Sequence, residues 1–324
     1  MKLLKPLSRL SLVAFLALAL LPLVGCSTNE ATGRSQFLPL SWDEEAKLGA
    51  EAAPQFIEQS GGELPDSAIV DYVRDLGGQL ASQSEMPDID WEFYVLDSQV
   101  INAFALPGGK VFISRGLMEK MDNEAQLAGV LGHEVGHVTA RHGNERMGKA
   151  MIAQGVILAA GIGGAISDEE WLQVLGVGTA VGGQLFLLKY SRGNELEADA
   201  LGVRYMAKVG YNPVGQIQVM EILRDASGGG GAPEWLSTHP ASDTRISNLE
   251  EIITKDYPRH TDPSFYKMGF AEFKQKVLTP LSKLPPAKHG AGAFLSPAEF
   301  EKIAGISWEQ ASHIGCTECA KQAN

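Results

Sequence analysis

The pattern of apolar and polar positions predicts that the folded part of the chain begins with two helices. The segment 66–84 carries apolar residues at helical spacing. These residues are Ile69, Tyr72, Val73, Leu76 and Leu80. Upstream, Ser41 and Glu44 stand at the spacing of a capping box, in which each side chain bonds a free backbone N–H at the start of a helix. We therefore expect the folded body to start near Ser41.

A small β-sheet is predicted after these helices, because runs rich in β-forming residues lie at 91–96 and 101–106. A Pro-Gly-Gly turn then leads into a third run at 110–113, which predicts a hairpin. We expect the sheet to be antiparallel. Helical periodicity follows almost to residue 255, so the order of elements predicts a mostly helical α+β domain over 41–255.

The first residues of the chain are typical of an export signal. Three basic residues precede an apolar run over 10–24, and residues 1–25 are expected to be removed. The alternative is an uncleaved membrane anchor, but this run is short for a bilayer span. It ends in Leu-Val-Gly-Cys, which resembles the lipobox of bacterial lipoproteins. That resemblance implies acylation of Cys26 and anchoring to a membrane through its lipid.

The residues after Cys26 bear on where such a lipoprotein would reside. Ser27 stands where an aspartate would indicate retention in the inner membrane, so the resemblance implies the periplasmic face of a bacterial outer membrane. The segment 26–40 contains turn formers and little apolar periodicity. It is therefore predicted to be a lipidated tether between the membrane and the folded domain.

The charge balance argues against nucleic acid as a partner. The formal net charge of the chain is −12. Loss of the basic signal peptide makes the mature protein more acidic still. Such a chain is repelled by phosphate backbones and by anionic lipid headgroups.

Beyond residue 255 lies a proline-containing extension, 256–324, whose role the sequence does not assign. One helix is expected in it, near 297–312. Cys316 and Cys319 predict a disulfide, since exported compartments are oxidising. The less favoured alternatives are a redox pair and a metal site completed by a nearby histidine, because a catalytic CxxC normally opens a helix after a strand.

The central chemical motif is the HExxH segment formed by His133, Glu134 and His137. The motif lies on a predicted helix, for which Asp122 or Asn123 is the expected N-cap. The apolar residues of this helix recur at helical spacing and form one buried stripe. The stripe consists of Leu127, Leu131, Val135 and Val138. Residues four apart lie on one helix face, so the two imidazoles can hold one zinc ion. Glu134 is then free to take a proton from a zinc-bound water.

A second polar helix is predicted around 192–199. Glu195 and Asp199 lie one turn apart on a common face, so one can bind the metal while the other orients a ligand imidazole. Glu197 is expected to point elsewhere, as a solvated surface carboxylate. The alternative is that the whole helix is an ordinary charged surface helix.

Together, the segments 100–142 and 190–202 resemble the HtpX-type and CAAX-prenyl-endopeptidase-type gluzincins, in particular their exported lipoprotein members. The resemblance implies a zincin-like fold, with Glu195 as the third zinc ligand and Asp199 as the partner of a ligand histidine. It also implies that Asn102, Ala103 and Phe104 form an edge strand with which an extended substrate peptide pairs by β-augmentation.

The same resemblance assigns a role to His239, within Ser-Thr-His-Pro, as a latch or fourth ligand over the zinc; a contribution to stabilising the oxyanion is a further expectation. Arg245 is implied to lie close by. The alternative for His239 is simply a turn before a helix. His142 is expected to point to another face, and His260, His289 and His313 are not assigned to the zinc site.

Two very apolar, glycine-containing stretches span 151–190. Membrane spans or a membrane-facing lid are one interpretation. We favour a hairpin that is buried or touches the membrane, because the first stretch is short for a span and acidic residues would have to cross with it.

The function predicted from these features is that of a zinc-dependent metalloendopeptidase that degrades unfolded or misassembled envelope proteins. The alternative is a chaperone-like factor for outer-membrane protein assembly, with latent proteolysis. Zinc in a purely structural role is disfavoured, because structural sites are closed sets of four ligands rich in cysteine.

Overall fold

The helix that carries the HExxH motif, Glu124–Thr139, lies in the middle of the fold. The computed structural model describes residues 26–157, 189–226, 233–239 and 243–287, and within it every residue of this helix is buried. Asn123 caps the helix by accepting a hydrogen bond from the backbone N–H of Gln126. This settles the choice between the two predicted caps and explains where the helix begins.

The other described helices surround this central one. In chain order they are Trp42–Gln59, Ser67–Ala81, Arg115–Met118, His142–Ile157, Arg192–Lys208, Val214–Ala226, Glu234–Thr238 and Asp243–Asp256, followed by the short helical segments Phe270–Phe273, Lys274–Leu278 and Thr279–Leu281. The predicted capping box of Ser41 and Glu44 is confirmed. So is the amphipathic helix predicted over 66–84, which Asp66 caps.

The larger of the two sheets in the described part of the chain has three strands, β3 (Glu92–Leu96), β4 (Ala103–Leu106) and β5 (Lys110–Ser114), in the order β3-β5-β4. The predicted hairpin is confirmed as the antiparallel pair of β4 and β5. However, β3 runs parallel to β5, so the sheet is mixed rather than antiparallel. The reason is that the hairpin returns β5 to the middle of the sheet, between β3 and β4. The α+β class is confirmed.

The HExxH helix and the helix Arg192–Lys208, which carries Glu195, pack unusually closely because glycines line their contact. A Cβ atom on Gly202 would lie 2.9 Å from the backbone nitrogen of His133. One on Gly136 would lie 3.0 Å from the carbonyl oxygen of Ala198. Any larger residue would push the helices apart, so these glycines let polar side chains from the two helices meet.

The segment predicted to be a tether is folded. Strands β1 (Cys26–Thr28) and β2 (Ser35–Phe37) pair in an antiparallel hairpin. Asn29 donates a hydrogen bond to the carbonyl of Thr139 at 2.9 Å, and Gln36 donates one to the carbonyl of Ala140 at 3.0 Å. The hairpin therefore satisfies free carbonyls at the end of the HExxH helix. Apolar periodicity missed it because these contacts are polar and distant in sequence.

The predicted domain boundary at residue 255 also shifts. Phe273, Val277 and Leu281 are buried in the same hydrophobic core as the HExxH helix. The domain therefore continues at least to Leu281. The predicted helix near 297–312 and the predicted disulfide of Cys316 and Cys319 lie outside the described residues.

Most of the apolar stretch 151–190 also lies outside the described residues; its first part, 151–157, is the end of the helix His142–Ile157. Within the described ranges, none of the helices has the length and apolar character that crossing a membrane requires.

Candidate metal centre

Four side chains from three parts of the chain converge in the core. His133 and His137 come from the HExxH helix, Glu195 from the first turn of its own helix, and His239 from the end of Glu234–Thr238. One nitrogen or oxygen atom of each lies within 4.8 Å of those of the others, and all four residues are buried. The structure thus brings together the three predicted ligands and His239, which the family resemblance implied to be a latch or fourth ligand.

The spacing of these atoms suits a small cation. Nε2 of His133 lies 3.0 Å from Nε2 of His137 and 3.4 Å from Nδ1 of His239. Oε1 of Glu195 lies 3.2 Å from Nδ1 of His239 and 3.5 Å from Nε2 of His137. Ligands around a tetrahedral zinc, bound at about 2.0–2.1 Å, are separated by roughly 3.3 Å. Three nitrogens and a carboxylate oxygen at this spacing fit zinc.

Asp199 contacts His133, the first histidine of the HExxH motif. Nδ1 of His133 lies 2.9 Å from Oδ1 of Asp199, so that Nε2 is the ring nitrogen left to face the other ligand atoms. Arg245 in turn holds Asp199 through two hydrogen bonds, of 2.7 and 2.6 Å, and Gln216 adds a third of 2.9 Å. Arg245 also contacts Oε2 of Glu195 at 2.5 Å. Arg245 therefore bridges the carboxylates of Glu195 and Asp199.

The surroundings hold the carboxylates of Glu195 and Asp199 ionised and the imidazole of His137 neutral. Burial acts to raise the pKa of Glu195, but the charges of His239 and Arg245 outweigh burial and hold this pKa well below its usual range. For Asp199, burial is likewise outweighed, by Arg245, and the pKa is lowered. Burial lowers the pKa of the His137 imidazole. Ionised carboxylates and a neutral imidazole are the forms that bind metals.

Glu134 lies beside the cluster without belonging to it. Its carboxylate is fully buried. Oε1 accepts a hydrogen bond from the Trp235 indole at 3.4 Å and lies 3.6 Å from Nε2 of His239. Oε2 accepts no hydrogen bond from any residue within the described ranges. A buried carboxylate with a free oxygen next to a cation site can take a proton from a water molecule.

Comparison with known families identifies this arrangement. Residues 70–253 match the sequence profile of Peptidase family M48. The chain belongs to peptidase family M48. This confirms the gluzincin resemblance inferred from the two motif-bearing segments.

Three M48 relatives illustrate the similarity. The Beta-barrel assembly-enhancing protease of Yersinia pestis is 31% identical over 264 residues, which cover 76% of this chain and 53% of the relative. The protein of the same name from Escherichia coli (strain K12) is 29% identical over 70% of this chain and 47% of its own length. Mitochondrial metalloendopeptidase OMA1 of Schizosaccharomyces pombe is 30% identical over 68% of this chain and 65% of its own length. The chain thus spans about half to two thirds of these relatives.

Two residues that were expected to point away from the metal cluster lie beside it, His142 and Glu197. Nδ1 of His142 lies 2.9 Å from Nδ1 of the ligand His137, and its Nε2 lies 3.0 Å from Oε2 of Glu197. Both His142 and Glu197 were expected to point away from the site. For His142 that expectation assumed a continuous helix, but the helix ends at Thr139 and Arg141 has a φ of +53°. The turn folds His142 back onto His137.

Two aromatic residues that the sequence did not single out enclose the histidines. The Tyr190 ring stacks on His137, with ring centroids 4.0 Å apart. The Trp235 ring stacks on His239 at 4.8 Å. Tyr190 and Trp235 lie next to the segments that carry Glu195 and His239, but no pattern in the sequence marked either residue as part of the site. Both rings shield the metal centre from solvent, which strengthens electrostatic interactions inside it.

The predicted substrate-binding strand lies where expected but is not open. Ala103 and Phe104 belong to β4, at one edge of the sheet, and Asn102 immediately precedes it. All three residues are buried. The backbone N–H of Trp235 donates to the carbonyl of Ile101 at 3.2 Å. The short helix that carries His239 therefore covers the start of this edge.

Proposed function

We propose that this M48 chain is a zinc-dependent metalloendopeptidase of the bacterial envelope that cleaves unfolded or misassembled envelope proteins. The observation that carries the proposal is the buried cluster of His133, His137 and Glu195, with Glu134 next to it. The names of the bacterial relatives, which refer to β-barrel assembly, support an envelope substrate.

Different residues bind the metal, transfer the proton and orient a ligand during hydrolysis. When bound by His133, His137 and Glu195, zinc supplies Lewis-acid chemistry, polarising the scissile carbonyl and acidifying the attacking water. Glu134 takes the proton from that water as its oxygen bonds to the carbonyl carbon. Glu134 then delivers the proton to the amine that leaves when the C–N bond breaks. Asp199 keeps His133 in the tautomer that faces the metal.

The position of His239 favours a second element of the proposal, in which proteolysis is latent and the protein otherwise binds clients in a chaperone-like way. Nδ1 of His239 occupies the fourth corner of the ligand cluster, where a water would have to bind. The helix that ends at His239 also covers the edge at Ile101. Opening this segment would free both the metal and the edge strand 102–104 for a peptide.

A His239→Ala variant is expected to cleave casein several-fold faster than the parent, because it removes the side chain that fills the fourth position. Initial rates with a fluorescent casein measure this, and His260→Ala, which alters a histidine outside the cluster, serves as the control. Unchanged or slower cleavage by His239→Ala would contradict the latch.

The proposal places the protein on the periplasmic face of the outer membrane, anchored through acylated Cys26. A Cys26→Ala variant is expected to leave the membrane fraction and become soluble, since two or more acyl chains are needed for stable anchoring. Cell fractionation with carbonate washing measures this, with Ser27→Ala as the control. A Cys26→Ala protein that stays in carbonate-washed membranes would instead indicate another anchor, either an uncleaved apolar run at 10–24 or spans within 151–190, and N-terminal sequencing of the retained protein distinguishes the two.

A further inference from the structure

A continuous chain of polar contacts links the ligand His137 to the N-terminal hairpin. It passes from Nδ1 of His137 to Nδ1 of His142 (2.9 Å) and from Nε2 of His142 to Oε2 of Glu197 (3.0 Å). Arg34, in the segment that joins β1 and β2, donates to both oxygens of Glu197, at 2.8 and 3.0 Å. The same guanidinium makes two hydrogen bonds of 2.9 Å to Glu145.

The metal cluster at one end of this series of contacts and the carboxylate of Glu197 at the other determine which ring nitrogen of each histidine carries the proton. His137 presents Nε2 to the metal cluster, so a neutral His137 carries its proton on Nδ1. That N–H can only donate to Nδ1 of His142 if this atom is an acceptor. The proton of His142 must then sit on Nε2, where Glu197 accepts it. One tautomer of each histidine therefore satisfies every contact.

The two ligand histidines are thus held differently. Nδ1 of His133 lies directly against a carboxylate, 2.9 Å from Oδ1 of Asp199. His137 instead donates to the imidazole of His142. That imidazole is buried and in turn donates to the carboxylate of Glu197. Partners on the second nitrogen of a ligand histidine set its tautomer and ring orientation, and losing them typically costs about 10–100-fold in metal affinity.

Arg34 makes the N-terminal hairpin part of this arrangement. Its planar fork bridges Glu145, on the helix His142–Ile157, and Glu197, on the helix Arg192–Lys208. Two-pronged guanidinium pairs fix geometry as well as charge. Arg34 therefore holds Glu197 where His142 needs it.

We propose that His142, Glu197 and Arg34 are positioning residues that hold His137 in its metal-binding tautomer and orientation. Through Arg34, the hairpin that begins at Cys26 then contributes to the affinity of the site for metal. This inference rests on the zinc assignment made under the proposed function. It assigns roles to three residues outside the HExxH and Glu195 ligand set.

The test compares the zinc affinity of full-length variants by competition with a chromophoric chelator, together with the absorption spectrum of the cobalt-substituted proteins. His142→Leu and Glu197→Ala are expected to bind zinc about 10–100-fold more weakly and to alter the cobalt spectrum. The zinc affinity of Glu197→Gln is expected to stay close to that of the parent, because its amide oxygen still accepts from His142.

Arg34→Ala should bind zinc more weakly than the parent. The control Arg74→Ala, which breaks a surface pair with Glu63, should bind zinc as tightly as the parent.

The results separate the inference from the assignment on which it rests. Parent-like zinc affinity in both His142→Leu and Glu197→Ala would overturn the inference alone. Equal losses in Glu197→Gln and Glu197→Ala would also overturn it, because acceptance of the His142 proton would then be irrelevant. A parent that binds no zinc would instead overturn the proposed function. If His142→Leu fails to fold, the two Glu197 variants decide, since that side chain is partly exposed.

Discussion

Replacing Glu134 by Gln is expected to slow the cleavage of casein by at least about 100-fold while zinc stays bound. The amide has nearly the shape of the carboxylate but cannot take a proton from the attacking water. Zinc should remain, because Glu134 lies outside the cluster of four ligand side chains. Initial cleavage rates and metal content of the same preparation measure the two effects.

A suitable control for this variant is Glu58→Gln, which makes the same chemical change on an exposed helix position. It should cleave casein as fast as the parent. Retained cleavage in Glu134→Gln would remove this residue from the mechanism. Loss of zinc along with activity would show that Glu134 helps to build the metal site rather than to activate water.

Arg245→Met is expected to lower the free energy of unfolding of the metal-free protein by about 3–5 kcal/mol. Arg245 is buried and pairs with the carboxylates of both Asp199 and Glu195. Without it, two buried negative charges lose their common partner. Zinc should restore part of the loss, because it brings positive charge to the same place. Urea unfolding with chelator, and again with zinc, measures both effects.

Arg224→Met is the matched control for Arg245→Met, because the Arg224 side chain is more than half exposed and lies 3.9 Å from the carboxylate of Asp225. Exposed pairs of this kind contribute at most about 1 kcal/mol. Equal unfolding free energies for Arg245→Met and the parent would show that the pairs of Arg245 do not stabilise the site. Zinc that restores nothing would contradict the electrostatic origin of the loss.

The features of the site that follow from local periodicity could be predicted from sequence. His133, Glu134 and His137 lie on a helix whose spacing and cap are visible in the residues, and the structure places them as expected. Glu195 and Asp199 share a helix face one turn apart, so periodicity limited the choice and the family resemblance then assigned their roles. These residues meet because glycines let their two helices pack closely.

The features that were missed depend on changes of chain direction. His142 reaches His137 only because the helix ends at Thr139 and Arg141 adopts a positive φ. A helical wheel drawn across that break sends His142 to the wrong face. No periodic pattern marks such a turn, so the positioning role of His142 could not be predicted.

The same limit applies to the fold. The hairpin β4–β5 was predicted because its Pro-Gly-Gly turn is local, whereas the parallel pairing of β3 with β5 joins strands separated by an intervening strand. The N-terminal hairpin is stabilised by side chains such as Asn29, which bonds a carbonyl 110 residues away. Contacts of that range leave no signature in a local window of sequence.

The central claim is that His133, His137 and Glu195 hold zinc in the core of this M48 chain. Elemental analysis of the purified full-length protein, before and after dialysis against a weak chelator, tests it most directly. We expect stoichiometric zinc in the parent and its loss from a Glu195→Ala variant under the same dialysis. A parent without zinc, or a Glu195→Ala variant that retains zinc as tightly as the parent, would contradict the claim.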